Sequence, residues 1–349
     1  MGAIMKLKLV FIVGSLTIIS AAHSAELISP SSRSANVFTS PNFDLSFSIG
    51  AMSLRGVETS YTTRGDDSGM HPGSRLSQLK WNTRGAGMAG LTFGWNPLPF
   101  TRIEASVHLS FTKDNSRMIN TDWLSPDALP DWSDRSLHPD TRNGQNYIAD
   151  IKIAHQVIVK GDLSGHVLAG FRQTRTAWEA YGGTFVYTEE TAGSCASWGS
   201  APPSFNSSSD FRNCVGALDP VAQITYQQTF NTPYLGMRGV YASGSWKVNV
   251  DVVGTPFAWS SDRDLHVDMD LYKATYRQQR MLGATLQGSY QLTPLFSLFA
   301  EADAQWYFNQ AGVLKFLDLK TGEAGSNGKA SAGTSLETTR FSAGLKATF

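Results

Sequence analysis

Hydrophobic and polar residues alternate along most of this chain. In the last segment Phe341, Ala343, Leu345, Ala347 and Phe349 alternate with Arg340, Ser342, Gly344, Lys346 and Thr348. Phe296, Leu298, Ala300, Ala302, Ala304, Trp306 and Phe308 alternate in the same way with Ser297, Glu301, Asp303 and Gln305. The pattern returns in Leu282–Leu292 and in Ala149–Ala154. A period of two marks a strand with unlike faces. Ten strands can be read, at about Phe43–Thr62, Leu76–Trp95, Thr101–Thr112, Asn146–Val159, Gly165–Thr188, Ala222–Ala242, Trp246–Ser260, Lys273–Thr293, Leu295–Leu317 and Leu336–Phe349. Most are far longer than the roughly 5–6 residues usual in soluble sheets. They also set charged groups such as Glu301, Asp303 and Lys346 opposite the apolar face. These features predict an all-β fold, a ten-stranded antiparallel transmembrane β-barrel whose strands show lipid one face and water the other.

The connections alternate in length. Asn96–Pro99, Lys160–Leu163, Ser243–Ser245 and Thr293–Pro294 are short. Thr63–Arg75, Lys113–Gln145, Glu189–Val221, Ser261–Tyr272 and Asp318–Ser335 read as long loops. Barrels of this class keep short turns on the periplasmic side and long loops outside, so the long loops are expected on the cell exterior. The final strand ends on Phe349, as bacterial outer-membrane barrels do.

Composition sharpens this picture. Charged residues make up only 17% of 349, below the ~25% of soluble domains. Formal net charge is zero, which gives no basic bias for nucleic acid. No segment offers the ~20 apolar residues of a membrane helix. At the N-terminus, Lys6 and Lys8 precede an apolar run, Leu9–Ile19, and Ala21-Ala22-His23-Ser24-Ala25 supplies a cleavage region. Residues 1–25 therefore read as a signal peptide, and 26–349 as one barrel domain with no linker. Cys195 and Cys214, in a Ser/Gly/Pro-rich stretch of an exported chain, suggest a loop disulfide. They are too few for a metal site, and none is expected.

Candidate chemistry sits in Trp259-Ser260-Ser261-Asp262-Arg263-Asp264-Leu265-His266. On an extended strand Asp262, Asp264 and His266 share a face and Arg263 points to the other. An Asp two residues before a His can orient the imidazole and raise its basicity, as a general base requires. No Gly-x-Ser-x-Gly elbow or His-Glu-x-x-His helix is present.

Further segments join this one. Met118-Ile119-Asn120-Thr121-Asp122-Trp123 is followed by Trp132-Ser133-Asp134-Arg135-Ser136-Leu137-His138-Pro139-Asp140-Thr141. With Ser261–His266, Ser77-Gln78-Leu79-Lys80-Trp81, Tyr181-Gly182-Gly183 and the final strand, they resemble the omptins, outer-membrane aspartyl-type endopeptidases. The resemblance covers essentially the whole chain after the leader. It implies an outward-facing groove in which Asp264 and His266 face a second couple at Asn120 and Asp122, with a water between them attacking the peptide carbonyl. The family has Asp-x-Asp where this chain has Asn120-Thr121-Asp122, and reduced activity is expected from that change. Glu58 and Asp262 match an acidic pocket for a basic P1 side chain, which implies peptide or protein substrates cut after Arg or Lys. His138 and Asp134 match supporting positions. Phe171, Gln173, Arg175, Thr229 and Arg277 match an outer-wall lipopolysaccharide site. Gln173 stands there for an acidic residue and Thr229 for a basic one. Lipopolysaccharide is thus an expected partner and activator, no other cofactor is implied, and a monomer is expected. The alternative is a catalytically impaired barrel serving as a surface adhesin or ligand-binding protein. A porin is disfavoured, because ten strands leave little room once polar side chains fill the interior.

Overall fold

The computed structural model describes residues 43–63, 70–113, 115–125, 130–199, 201–267 and 269–349. The expected leader at 1–25, the Ser-rich stretch after it and part of the first long loop lie outside them. The strands are β1 (Phe43–Tyr61), β2 (Arg75–Leu98), β3 (Thr101–Ser110), β4 (Ser116–Asp122), β5 (Asp134–Asn143), β6 (Tyr147–Lys160) and β7 (Leu163–Tyr187). A short helix α1 (Ala192–Ala196) and β8 (Ser204–Phe205) follow, then β9 (Cys214–Ser243), β10 (Trp246–His266), β11 (Asp270–Gln291), β12 (Phe296–Asp318) and β13 (Ala324–Thr348).

All pairings are antiparallel, and β1 pairs with both β2 and β13, so the sheet closes. It is a ring of ten strands. Near the short turns the ring runs β2–β3–β6–β7. At the opposite end it runs β2–β4–β5–β7. Thus β3 and β4 act as one interrupted strand, and so do β5 and β6. This revises the expected loops. Most of Lys113–Gln145 is a hairpin that raises the barrel wall, Ser261–Tyr272 is mainly strand, and β13 already begins at Ala324. These extensions carry more polar residues than the membrane span, which is why the alternation there read as loop. Two short turns rest on Gly161 and Gly244, whose φ of 59° and 57° would strain any residue with a Cβ.

The alternation sorts two environments. Leu45, Phe47 and Ile49 of β1 face outward and exposed, while Asp44, Ser46 and Ser48 between them are buried in the lumen. The outward apolar band ends near Phe171 and Trp259, whose rings lie 5.9 Å apart. Aromatic girdles mark the membrane interface. Above them the outward positions turn polar, with Arg263 directly opposite Lys273 and both exposed. Inside, Trp81, Trp178 and Tyr226 stack at 5.5–6.1 Å and are almost wholly buried. This aromatic layer fills the lumen beneath the upper end. It needs Gly56, where a Cβ would come within 2.8 Å of the Trp178 ring.

Candidate active site

A bulge in β10 aims the predicted couple. Gly254 pairs with Leu235 and Trp259 with Asn231, so β10 carries one more residue than β9 over this interval. One extra residue reverses which side chains face inward. Below the bulge Asp251 and Val253 are buried, and above it Ser260, Asp262 and Asp264 are. Pro256, which has no N–H for the ladder, lies within the irregular stretch. Arg263 faces outward as expected. His266 Nε2 lies 2.9 Å from Asp264 Oδ2, and the ring meets Tyr272 edge-on at 5.5 Å. Burial disfavours the imidazolium, but the charge and hydrogen bond of Asp264 outweigh it, aided by Asp122 and Asp270, and raise the His266 pKa above 6.5.

The facing wall is built by β2, β4 and β5. Ser77, Asn120 and Ser136 occupy adjoining positions, and Asp122 pairs with Ser77 on one side and Asp134 on the other. Asn120 Nδ2 donates to Asp122 Oδ2 at 2.8 Å. The Ser77 hydroxyl donates to Asn120 Oδ1 at 3.3 Å. Burial pushes Asp122 up to about 6. Hydrogen bonding from Ser77 pulls the other way, Asp134 adds to the rise, and the field of His266 opposes it. Asp122 and His266 therefore sense each other across the groove. His138 is buried, sits 2.9 Å from Ser136 Oγ through Nε2, and is driven down to about 4 chiefly by burial. Burial thus keeps this ring neutral near pH 7.

Below the couple lies an acidic floor. Glu58 is 4% exposed, Asp262 6% and Asp264 3%. Asp262 accepts from the hydroxyls of Tyr276 at 2.7 Å and Tyr226 at 3.1 Å, and from the Ala274 amide at 3.0 Å. Even so, burial and the neighbouring Asp264 carry it up to about 6. Glu58 is raised well above 4.5 by burial and by the charges of Asp264 and Asp262. Glu58 Oε2 and Asp264 Oδ1 are buried with no protein partner among the described residues. Three carboxylates so placed are chemically suited to a cationic group.

Sequence reasoning gave no role to Ser77, Tyr226 or Tyr276. The tyrosines alternate inward on β9 and β11, a signal that could have exposed them. The disulfide Cys195–Cys214 is present. It packs with Phe185 and Tyr187, and Tyr187 in turn lies edge-on to Trp198 at 4.9 Å. The loop behind the β7 wall is thereby stapled. By the loop-closure argument such a link contributes about 3 kcal/mol. On the outer wall Arg175 pairs with Thr229 across β7 and β9. The Arg175 guanidinium donates to Gln227 at 2.7 Å, and Gln173 bonds Asn231 at 2.8 Å. Phe171 and Arg277 are exposed on the same side of the sheet.

The Omptin family model matches residues 39–349. The plasminogen activator of Yersinia pestis is 26% identical over 337 residues, spanning 93% of this chain and 98% of its own. Outer membrane protease OmpP of Escherichia coli K12 is 26% identical over 281 residues, 79% of this chain and 82% of its own. The crystal structure of outer membrane protease OmpT from Escherichia coli superposes with a TM-score of 0.78, at 23% identity, over 92% of this chain and all of that one (100%).

Proposed function

The chain belongs to the omptin family of outer-membrane proteases, and from that premise we propose that it is an endopeptidase whose groove hydrolyses peptides after basic residues. The observation that carries this reading is the Asp264–His266 couple at 2.9 Å, coupled electrostatically to Asp122 on the facing wall. With Nε2–H held by Asp264, His266 Nδ1 is the base. It takes a proton from a water as the water oxygen attacks the carbonyl carbon, and later returns a proton to the leaving amine. Asp264 fixes the tautomer and stabilises the imidazolium. Ionised Asp122 orients the water and shares that stabilisation. Asn120 contributes polarity but no charge, and slower turnover than an Asp pair follows.

Glu58 and Asp262 receive the P1 guanidinium or ammonium. Entry of that cation supplies the partner that Glu58 Oε2 lacks, which ties specificity to desolvated charge pairing. Phe171, Arg175 and Arg277 contact lipopolysaccharide on the outer wall, which assists activity. The groove faces the cell exterior, opposite the short turns, and the barrel works as a monomer. A surface adhesin is the second reading, favoured by Asn120 standing where the family has an acid.

The test is hydrolysis of fluorogenic peptides with Arg, Lys or Leu at P1, by full-length protein refolded with lipopolysaccharide. His266→Ala is expected to lose ~10²–10⁴ in kcat/KM, and Leu at P1 should be refused. Equal turnover of the three peptides would remove the acidic pocket. Undiminished turnover by His266→Ala would remove the mechanism.

A further inference from the structure

On the wall facing His266, Asp122 stands beside an amide, Asn120, and the geometry shows what the amide does. Asn120 and Asp122 alternate inward on β4. The Asn120 amide donates to Asp122 Oδ2 at 2.8 Å, and its carbonyl oxygen accepts from the Ser77 hydroxyl at 3.3 Å. The chain of bonds thus runs one way, from Ser77 on β2 through Asn120 to Asp122. An ionised Asp at position 120 could donate nothing. It would also stand beside Asp122 while Asp134 already faces Asp122 from β5 in direct cross-strand register.

We propose that Asn120 is a positioning residue for Asp122. Its amide, anchored by Ser77, gives the single carboxylate of this wall a donor in place of a second negative charge, and so fixes its orientation and its ionised form. This rests on the protease reading above. The groups that face Asp122 are Asp134 on β5 and Tyr187 on β7, with His266 across the groove and Ser77 on β2. Of these, only His266 can offer positive charge. A donor at 120 therefore does for Asp122 what, on its own wall, the Ser77 hydroxyl could otherwise do, and in this geometry that hydroxyl donates to Asn120.

The consequence runs against intuition. Placing a second acid on this wall by Asn120→Asp should not simply speed the enzyme. Two neighbouring carboxylates share a proton and one of them titrates high. Activity that needs Asp122 ionised is lost as pH falls through its pKa, so raising that pKa moves the acid limb of kcat/KM toward neutrality. The experiment is the pH profile of kcat/KM for full-length wild type, Asn120→Asp, Asn120→Ala and Ser77→Ala, refolded with lipopolysaccharide, on an Arg-P1 peptide. A shift of about one pH unit upward is expected for Asn120→Asp, and smaller upward shifts for the other two. ¹³C titration of aspartate-labelled protein, with Asp122→Asn to assign the signal, reads the same change without turnover. An Asp122 midpoint that stays in place or falls in Asn120→Asp overturns the proposal. Retained activity in His266→Ala overturns the protease reading instead, and leaves the ¹³C result to decide the role of Asn120 as a donor to Asp122.

Discussion

The two ends of the barrel interior handle buried charge in opposite ways. Within the membrane span, Arg238 binds both Asp251, at 2.6 Å, and Glu104, at 2.8 Å. Lys152 reaches Asp251 at 3.0 Å, Arg172 holds Asp150 at 2.7 Å, Arg340 holds Glu301 at 2.6 Å, and Arg102 holds Asp44 at 2.6 Å. A cavity of about 80 Å³ lies in this network, away from His266. Above the aromatic layer, Glu58, Asp262 and Asp264 cluster, and among the described residues only His266 brings a countercharge, to Asp264 alone. Pairing is how a fold tolerates buried charge. On the proposed reading, its absence at one end is filled by a cation from outside.

The comparison breaks most visibly if a lower pair is split. Arg238→Ala leaves Glu104 and Asp251 sharing Lys152, with Arg102 still on Glu104, so the loss should approach but not exceed the ~3–5 kcal/mol that removing one partner of an isolated buried pair costs. Urea unfolding in detergent micelles, followed by the gel shift of the folded barrel, should show a loss of that size. The fraction that folds should keep its P1 preference, because the network lies below the Trp81–Trp178–Tyr226 layer. An unchanged midpoint would mean that the lower charges are dispensable and the contrast between the ends is empty.

Much of this contrast was legible in the residues. Alternation such as Phe341 to Phe349 gave the strands, and the Asp264-x-His266 spacing gave the couple, since side chains two apart share a face on any strand. Which face is the lumen was legible within each strand, from the charged residues opposite the apolar ones, but the switch of faces inside β10 was not. The inward set changes from Asp251 and Val253 to Asp262 and Asp264 through a bulge near Pro256, and local pattern carries no register. Nor could spacing show that β4 and β5 replace β3 and β6 in the upper ring. That pairing joins residues far apart in sequence, and it sets Ser77 beside Asn120.

An intermediate effect concerns pH. Asp122 and Asp262 are both up at about 6 because of burial, and His266 is raised above 6.5, its burial outweighed by Asp264. The proposed chemistry needs both carboxylates ionised and the imidazole neutral. Every one of these groups therefore makes activity climb as pH rises, and none of the three makes it fall at high pH. Turnover of an Arg-P1 peptide at pH 5 should be at least about tenfold below that at pH 7.5. Equal rates would place the working carboxylates among ordinary, well-solvated or well-paired acids, and would erase the distinction between the groove and the lower network.

The smallest effect sharpens the comparison from the stability side. Glu58 is raised well above 4.5 in the folded barrel by burial and by Asp264 and Asp262. The folded state then holds this proton more tightly than the unfolded chain does. The stability so gained is fully present below the unfolded value, near 4.5, and is lost as pH rises through the folded one. Asp262 acts with the same sign between 3.8 and about 6. These two groups accordingly open a gap in melting temperature that favours pH 5 over pH 8, against the opposite pull of the buried neutral His138. Glu58→Gln keeps the shape of the side chain and removes the titration, so it should narrow that gap by raising the pH 8 midpoint. If about 1 kcal/mol is recovered, the rise is about 2–4 °C. The same variant should bind an Arg-P1 peptide less well, because the cation has lost half of its receptor. A variant that instead melts lower at pH 8 would show that Glu58 already has a cationic partner in the empty groove, and that the upper end pairs its charges as the lower end does.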